Sequence, residues 1–231
     1  MTQTLTPPEH ATVADPSASA RLKITEIFFS LQGEARAVGW PTVFVRLTGC
    51  PLRCQYCDTA YAFHGGEWMT LDAIVDKVGE YGARHVCVTG GEPLAQKRCI
   101  DLLRRLCDGG YQVSLETSGA LDVSEVDPRV DRVIDLKTPG SAEVARNRMA
   151  NLEQLRANDQ IKFVICSRDD YEWARALMAE HRLADRCDVL FSPSHHQVAP
   201  TELAEWMLAD RLPARMQVQL HKLLWGEQPG K

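Results

Sequence analysis

His85-Val86-Cys87-Val88-Thr89-Gly90-Gly91-Glu92-Pro93 is a short apolar run closed by two glycines and a proline. An apolar run of this length between breakers reads as a buried strand. Residues 94–107 follow with Ile100, Leu102, Leu103 and Leu106 at helical spacing, and residues 112–116 read as a second strand, stopped at Ser118-Gly119. A strand, a helix and a strand with no hairpin turn between them form a crossover unit, which makes the two strands parallel and the connection right-handed.

The same alternation extends in both directions. Toward the N-terminus, residues 42–47 read as a strand. Residues 71–81 read as a helix, with Leu71, Ile74, Val75 and Val78 on one face. Toward the C-terminus come a strand at 132–136, a helix at 147–157, a strand at 161–165, a helix at 171–181 and a strand at 189–191. A helix at 201–209, with Thr201 as N-cap, and a strand at 216–220 close the series. The pattern predicts an α/β fold built on a parallel sheet. Polar residues gather just after the strands: Thr89 to Glu92, Glu116-Thr117-Ser118, Asp135 and Lys137, and Ser192-Pro193-Ser194-His195. Parallel α/β folds build their sites at these carboxyl ends.

Residues 1–21 hold Pro7, Pro8 and Pro16 among Ser, Thr and Ala, with no apolar period, and read as a flexible arm. No repeat and no second linker follows, so residues 22–231 are expected to form one domain. The chain has 231 residues, 45% of them hydrophobic, enough for a sizeable core. A net charge of −5 argues against a general nucleic-acid binder held by a basic surface. No apolar run approaches the roughly 20 residues that span a bilayer, and no secretory signal opens the chain. A cytoplasmic protein is expected.

Eight cysteines are present. Cys87, Cys99, Cys107, Cys166 and Cys187 are scattered, as small buried hydrophobes are. Cys50, Cys54 and Cys57 are not: they stand in Cys50-Pro51-Leu52-Arg53-Cys54-Gln55-Tyr56-Cys57-Asp58-Thr59, directly after a core strand. Three thiolates on one loop suit a metal centre. A structural zinc normally takes four ligands in two separated pairs and would have to borrow one, such as His64. A [4Fe–4S] cluster takes one ligand per iron, so three cysteines leave one iron open to a small molecule.

The C-x3-C-x2-C spacing, with an aromatic residue before the last cysteine, resembles the radical S-adenosylmethionine superfamily, and Gly90-Gly91-Glu92-Pro93 matches that superfamily's second motif. Leu31-Gln32-Gly33-Glu34, Cys57-Asp58-Thr59, Glu116-Thr117-Ser118-Gly119 and Leu220-His221-Lys222-x-x-Trp225 further resemble the 7-carboxy-7-deazaguanine synthase family. The resemblance runs from about Ile24 to Trp225. Two departures are visible: Ala35-Arg36 stand where many relatives have glycine, and Asp135-Leu136-Lys137 stand where many have Ser-Pro-Lys.

The resemblance implies a sheet curved into an abbreviated partial barrel, a [4Fe–4S] cluster on Cys50, Cys54 and Cys57, and S-adenosylmethionine on its open iron. It places Tyr56, Asp58, Gly90, Gly91, Glu92, Glu116, Ser118, Lys137, Ser192, Pro193, Ser194 and His195 at the cofactor. Leu31, Gln32, Gly33, Glu34, Arg46, Thr89, His221 and Pro229 fall to a pterin substrate, and Thr59 to Mg²⁺. An arginine suits the substrate carboxylate because its guanidinium can clamp it bidentately. Each residue also has an ordinary reading: a structural ion pair for Arg46, a β-turn for Gly90-Gly91, a helix cap for Thr59, a solvated turn for Gln32 and Glu34. The implied activity is a ring-contracting lyase that takes 6-carboxy-5,6,7,8-tetrahydropterin to 7-carboxy-7-deazaguanine, on the route to queuosine. The implied partners are an external one-electron reductase and a second copy of the chain. A glycyl-radical activase and a zinc-stabilised binding module are the alternatives.

Overall fold

The computed structural model describes residues 20–228 and residue 230. Most of the expected N-terminal arm, and Pro229, lie outside the described residues. The first strand, β1 (Arg21–Leu31), is followed by β2 (Pro41–Leu47), β3 (Glu67–Thr70), β4 (His85–Gly90), β5 (Gln112–Thr117), β6 (Asp131–Asp135), β7 (Gln160–Ile165), β8 (Asp188–Pro193) and β9 (Arg215–Met216). They form one open nine-stranded sheet in the order β3-β1-β2-β4-β5-β6-β7-β8-β9. From β2 to β9 every neighbouring pair is parallel. The sheet is nevertheless not wholly parallel, because β1 pairs antiparallel with both β2 and β3.

β1 escapes the sequence pattern because of a register shift between Ile24 and Glu26. Leu22 and Ile24 alternate into the core. Beyond the shift the alternation is interrupted, Glu26 comes opposite Arg46, and Phe28 comes opposite Phe44.

The parallel strands divide their side chains by period two. Val43, Val45 and Leu47, Val86 and Val88, Ile134, Phe163 and Phe191 join one apolar core with buried residues of four helices: α1 (Leu71–Gly79), α2 (Cys99–Asp108), α3 (Arg168–Glu180) and α4 (Pro200–Ala209). The intervening residues, among them Arg46, Thr89, Glu116, Asp135 and Lys162, line a cavity on the other face. The sheet curls around it. Glu34, three residues past β1, meets Lys162 of β7 at 3.0 Å. These strands stand five places apart in the sheet order, a gap of about 24 Å if flat, against a reach of about 10 Å for three residues.

Several sequence expectations are corrected. The helix expected at 94–107 is a 3-10 turn, Pro93–Ala95, and then α2. The Gln96 side chain binds the Lys23 N–H and the Lys23 and Thr48 carbonyls, which takes the intervening residues out of the helix. The helix expected at 147–157 is only short 3-10 turns, Val144–Arg146 and Met149–Gln154. There Asn147 pairs with both backbone groups of Lys137, and Asn151 donates to the Gly119 and Leu121 carbonyls. Side chains that bind neighbouring backbone in this way compete with a helix. α4 starts at Pro200, with Ala199 rather than Thr201 as its N-cap, since a proline suits the first helical position. The strand expected at 216–220 is β9 alone, followed by α5 (Leu220–Trp225). Gln217 and Gln219 leave the ladder and turn their amides to the Gln32–Ala35 loop.

Candidate active site

The cavity measures about 600 Å³, within the range of small-molecule sites. It lies at the carboxyl ends of the parallel strands, lined from β1 to β8 and by the segment after β9.

The cysteine loop forms its upper wall. Leu52 is buried and anchors the loop. Gly49 N–H donates to the Ala62 carbonyl at 2.8 Å, and Cys57 N–H to the Cys54 carbonyl at 3.1 Å. Arg53 donates to the Cys50 and Leu52 carbonyls and lies 4.2 Å over the Phe63 ring. Cys50, Cys54 and Cys57 are half-buried free thiols that all line the cavity. Burial pushes the Cys54 thiol up to about 11 and raises Cys50 as well. A single zinc ion at about 2.3 Å from each sulfur needs the sulfurs within about 4 Å of one another. Among the described residues the only group with ligand atoms all within 4.8 Å is His195, His196 and Glu227. Three thiols on one loop give three irons of a cluster one ligand each, whereas a zinc ion would still need a fourth ligand, and His64 is exposed.

Gly90 and Gly91 carry the strand end directly beneath this loop. Gly90 has φ +145°, and a side chain there would run into the Leu47 backbone. A side chain at Gly91 would run into the Gly49 backbone and the Cys50 side chain. The close approach made by this pair is thus to the chain segment that opens the cysteine loop. Gly91→Ala should push that segment outward at a cost of about 1–3 kcal/mol. A lowered melting temperature together with weakened iron retention is expected, and an unchanged melting temperature would refute the packing argument.

Glu92 does not face the cavity. It is fully buried, and its carboxylate accepts from Leu94 N–H, Thr117 Oγ1, Ser118 N–H and Ser118 Oγ. It ties the ends of β4 and β5 together. Ser118 reaches the cavity wall with its hydroxyl already donated to Glu92.

Tyr56, Lys137 and the β8 end form one half of the cavity. Lys137 Nζ lies 2.9 Å from Asp135 Oδ2 and 5.6 Å from the Tyr56 ring centroid. Burial, then the nearby Asp135 charge, pushes the Tyr56 phenol far up. Ser192, Pro193, Ser194 and His195 line this half, with His195 at the rim near Glu227. Asp58 faces the mouth, paired to Lys222 at 3.0 Å. Burial opposes its ionisation, but Lys222 and neighbouring hydrogen bonds outweigh that and hold its carboxyl down at about 2. Thr59 precedes a 3-10 helix, Ala60–Phe63, but makes no side-chain cap; its hydroxyl donates to Asp58 Oδ1 at 2.8 Å.

The other half brings together Leu31, Gln32, Glu34, Arg46, Thr89, Glu116 and His221. Glu116 sits here rather than beside Ser118: it accepts from Thr89 Oγ1 at 3.2 Å and Gln32 Nε2 at 3.4 Å. Burial and the neighbouring Glu34 raise its carboxyl above the usual range. Burial works against Glu34 too, but Lys162 and Gln219 outweigh it and keep that carboxyl low. Arg46 donates through Nε to Glu26 at 2.7 Å, and Glu26 in turn accepts from the Tyr61 hydroxyl. Gly33 is not on the cavity wall; it seats His221, whose ring occupies the space a side chain at Gly33 would need. Ala35 takes φ +61° where a glycine would be unstrained, and stays there because its N–H donates to Gln217 Oε1 at 2.5 Å.

Lys162, Gln217, Gln219 and Glu26 lie in this network and were not singled out from the sequence, and Asp135 was noted there only as a polar residue at a strand end. One signal was available. Lys162 interrupts the run Ile161-Lys162-Phe163-Val164-Ile165, and a lysine inside a buried strand is rare unless paired.

Residues 44–142 match the radical SAM superfamily. The 7-carboxy-7-deazaguanine synthase of Chlorobaculum tepidum is 48% identical over 213 residues, covering 90% of this chain and 96% of that protein. The chain belongs to the 7-carboxy-7-deazaguanine synthase family. The family's member from Koribacter versatilis is 42% identical, covering 88% of this chain and 97% of its own. The crystal structure of QueE from Escherichia coli superposes with a TM-score of 0.67 at 25% identity, over 87% of this chain and 95% of that one. Membership in this radical SAM family brings a [4Fe–4S] cluster and S-adenosylmethionine as cofactors, which the three-cysteine loop suits.

Proposed function

We infer that this chain converts 6-carboxy-5,6,7,8-tetrahydropterin to 7-carboxy-7-deazaguanine and ammonia, a step toward queuosine. The observation that carries the reading is one cavity walled on one side by the three-cysteine loop and on the other by Arg46, Gln32, Glu34 and Glu116. Product and ammonia together hold all the atoms of the substrate, so the conversion needs no net oxidant. When bound, the cluster and S-adenosylmethionine supply a 5′-deoxyadenosyl radical.

Cys50, Cys54 and Cys57 would hold the cluster. Tyr56, Asp58, Gly90, Gly91, Ser118, Lys137 and the 192–195 turn would seat S-adenosylmethionine, with Glu92 bracing that wall from behind. Arg46 binds the substrate carboxylate, and its guanidinium is well prepared for this. Glu26 occupies Nε, and no hydrogen bond occupies either Nη nitrogen among the described residues. Gln32, Glu34, Thr89 and Glu116 read the pterin edge, where ring N–H and amino groups need acceptors and the carbonyl needs a donor. Leu31 and His221 complete the pocket, Gly33 makes room for His221, and Pro229 extends the set beyond the described residues. Residues 22–231 would act as one domain.

Thr59 and Asp58 offer oxygen atoms side by side at the cavity mouth. Hard oxygen donors with space for water suit Mg²⁺, and Thr59 would be the residue that holds it here. Thr59→Ala should raise the Mg²⁺ concentration needed for half-maximal turnover by only a few-fold, because a water can take the place of one hydroxyl. Turnover that never depended on Mg²⁺ would remove the metal from the site. An external one-electron reductase and a homodimer complete the proposal. No helix among the described residues is long and apolar enough to cross a membrane.

The test is direct. The reconstituted protein, given S-adenosylmethionine, a reductant and the carboxy-tetrahydropterin, should yield 7-carboxy-7-deazaguanine by mass spectrometry. S-adenosylmethionine cleavage with no deazaguanine would end the pterin reading.

A further inference from the structure

Four segments of the chain send five charged or polar side chains to one cluster in the cavity wall. Lys162 of β7 places Nζ 3.0 Å from Glu34 Oε2 and 3.6 Å from Asp135 Oδ2 of β6. Gln217 and Gln219, between β9 and α5, donate to Glu34 Oε2 and Oε1, each at 2.9 Å. Asp135 Oδ2 also meets Lys137 at 2.9 Å. The result is a continuous chain from Lys137, beside Tyr56, through Asp135 and Lys162 to Glu34. It links the two halves of the cavity. The Lys162 side chain is 12% exposed, so its ammonium group is withdrawn from bulk water and has to be offset by partners. Asp135 Oδ1 is buried with no hydrogen-bond partner among the described residues, so the chain has an acceptor to spare in the cavity wall.

We propose that Lys162 is a positioning residue for substrate recognition: it holds Glu34 in place as the acceptor for the donor groups of the pterin's pyrimidine edge. This rests on the pterin reading of the site.

The argument is one of charge. The titratable groups facing Glu34 are Lys162 from β7, His221 from α5 and Glu116 from β5, with Asp135 of β6 and Lys137 one step further along the chain. Of these, Lys162 makes the closest favourable contact. Glu116 repels the Glu34 charge, and burial disfavours it. Gln217 and Gln219 add hydrogen bonds but no charge. Remove the ammonium, and burial and Glu116 raise the Glu34 pKa. A protonated Glu34 offers a donor where the pterin edge also presents donors, so recognition fails. Lys162 lies on the cavity wall with its ammonium group spent on Glu34 and Asp135.

The sign of the pH effect follows. In the wild type Glu34 stays ionised through neutral pH, so this group imposes no pH dependence on substrate binding there. In Lys162→Met its pKa is raised, so binding is weak at low pH and recovers as the carboxyl ionises.

The test uses the full-length reconstituted enzyme loaded with S-adenosylmethionine. Binding of the carboxy-tetrahydropterin is followed by calorimetry between about pH 6 and pH 9, beside KM, kcat and the melting temperature. Lys162→Met should weaken binding at least about tenfold near neutral pH and recover toward alkaline pH, with KM changed more than kcat. In the double variant Lys162→Met, Glu34→Gln the recovery with pH should vanish, because position 34 no longer titrates. If Lys162→Met fails to fold, Lys162→Gln, which removes the charge but keeps a polar tip, is measured in the same way. Affinity within twofold of wild type across the pH range would overturn the proposal, as would a pH recovery that persists in the double variant. A wild-type enzyme that does not turn over the pterin at all would instead overturn the reading on which this rests.

Discussion

Anaerobic reconstitution of Cys54→Ala should give a protein with almost no bound iron, no brown colour and no cleavage of S-adenosylmethionine. The same should hold for Cys50→Ala and Cys57→Ala. The reason is geometric. The three thiols come from one loop and line one cavity. Each would bind a separate iron, so losing any one opens a second iron and releases the cluster. The five other cysteines provide the control. Cys99 is buried in the helix-facing core, and Cys87 points from β4 toward Glu116 rather than toward the loop. Alanine at Cys87, Cys99, Cys107, Cys166 or Cys187 removes a small hydrophobe and should leave iron content near that of the wild type. Iron and acid-labile sulfide per chain are the measurement. Full iron occupancy in Cys54→Ala would overturn the cluster assignment.

Arg46→Ala should reduce kcat/KM for the carboxy-tetrahydropterin by ten- to a hundredfold, corresponding to about 1.5–3 kcal/mol for one charge-assisted contact. Arg46 is held from several sides. Glu26 takes its Nε at 2.7 Å, the Phe28 ring lies 5.7 Å from the guanidinium carbon and the Tyr61 ring 5.9 Å. That frame orients a guanidinium whose two Nη nitrogens have no partner among the described residues. Its side chain is only 15% exposed, so a carboxylate bound there is shielded from water and the contact is worth more than one on the surface. Slow cleavage of S-adenosylmethionine without substrate should continue in Arg46→Ala, since no cysteine ligand is touched. The two rates measured side by side separate a lost substrate contact from a damaged cluster. Wild-type substrate affinity in this variant would remove Arg46 from the pterin site.

The chemistry of the candidate site was more legible than its architecture. Residues with a local signature showed themselves: the three-cysteine loop by its spacing, and Gly90-Gly91 by ending an apolar strand. What a residue does once it is placed there was harder to read. Glu92 belongs to the same motif as Gly90 and Gly91, yet turns away from the cavity to bind Thr117 and Ser118. Glu116 precedes Ser118 by two residues, yet serves the opposite half of the cavity: β5 ends at Thr117, and past the strand end Ser118 is drawn to Glu92 while Glu116 takes Thr89 and Gln32.

By itself the sequence determined the α/β alternation, the parallel strands from β2 to β9, the placing of polar residues at their carboxyl ends and the single loop that gathers three cysteines. All of these follow from short-range patterns: apolar period, breakers and ligand spacing. Only the tertiary structure decided the antiparallel edge, because the shift between Ile24 and Glu26 interrupts the alternation that would have shown β1. Only it dissolved the helix expected at 147–157, where Asn147 and Asn151 are drawn to the backbone of distant strand ends. And only the curl of the sheet could bring Lys162 to Glu34, residues 128 positions apart. A contact of that kind leaves no trace in local spacing; its one mark in the chain is a charged residue inside an apolar strand, where burial demands a partner that only the fold can supply.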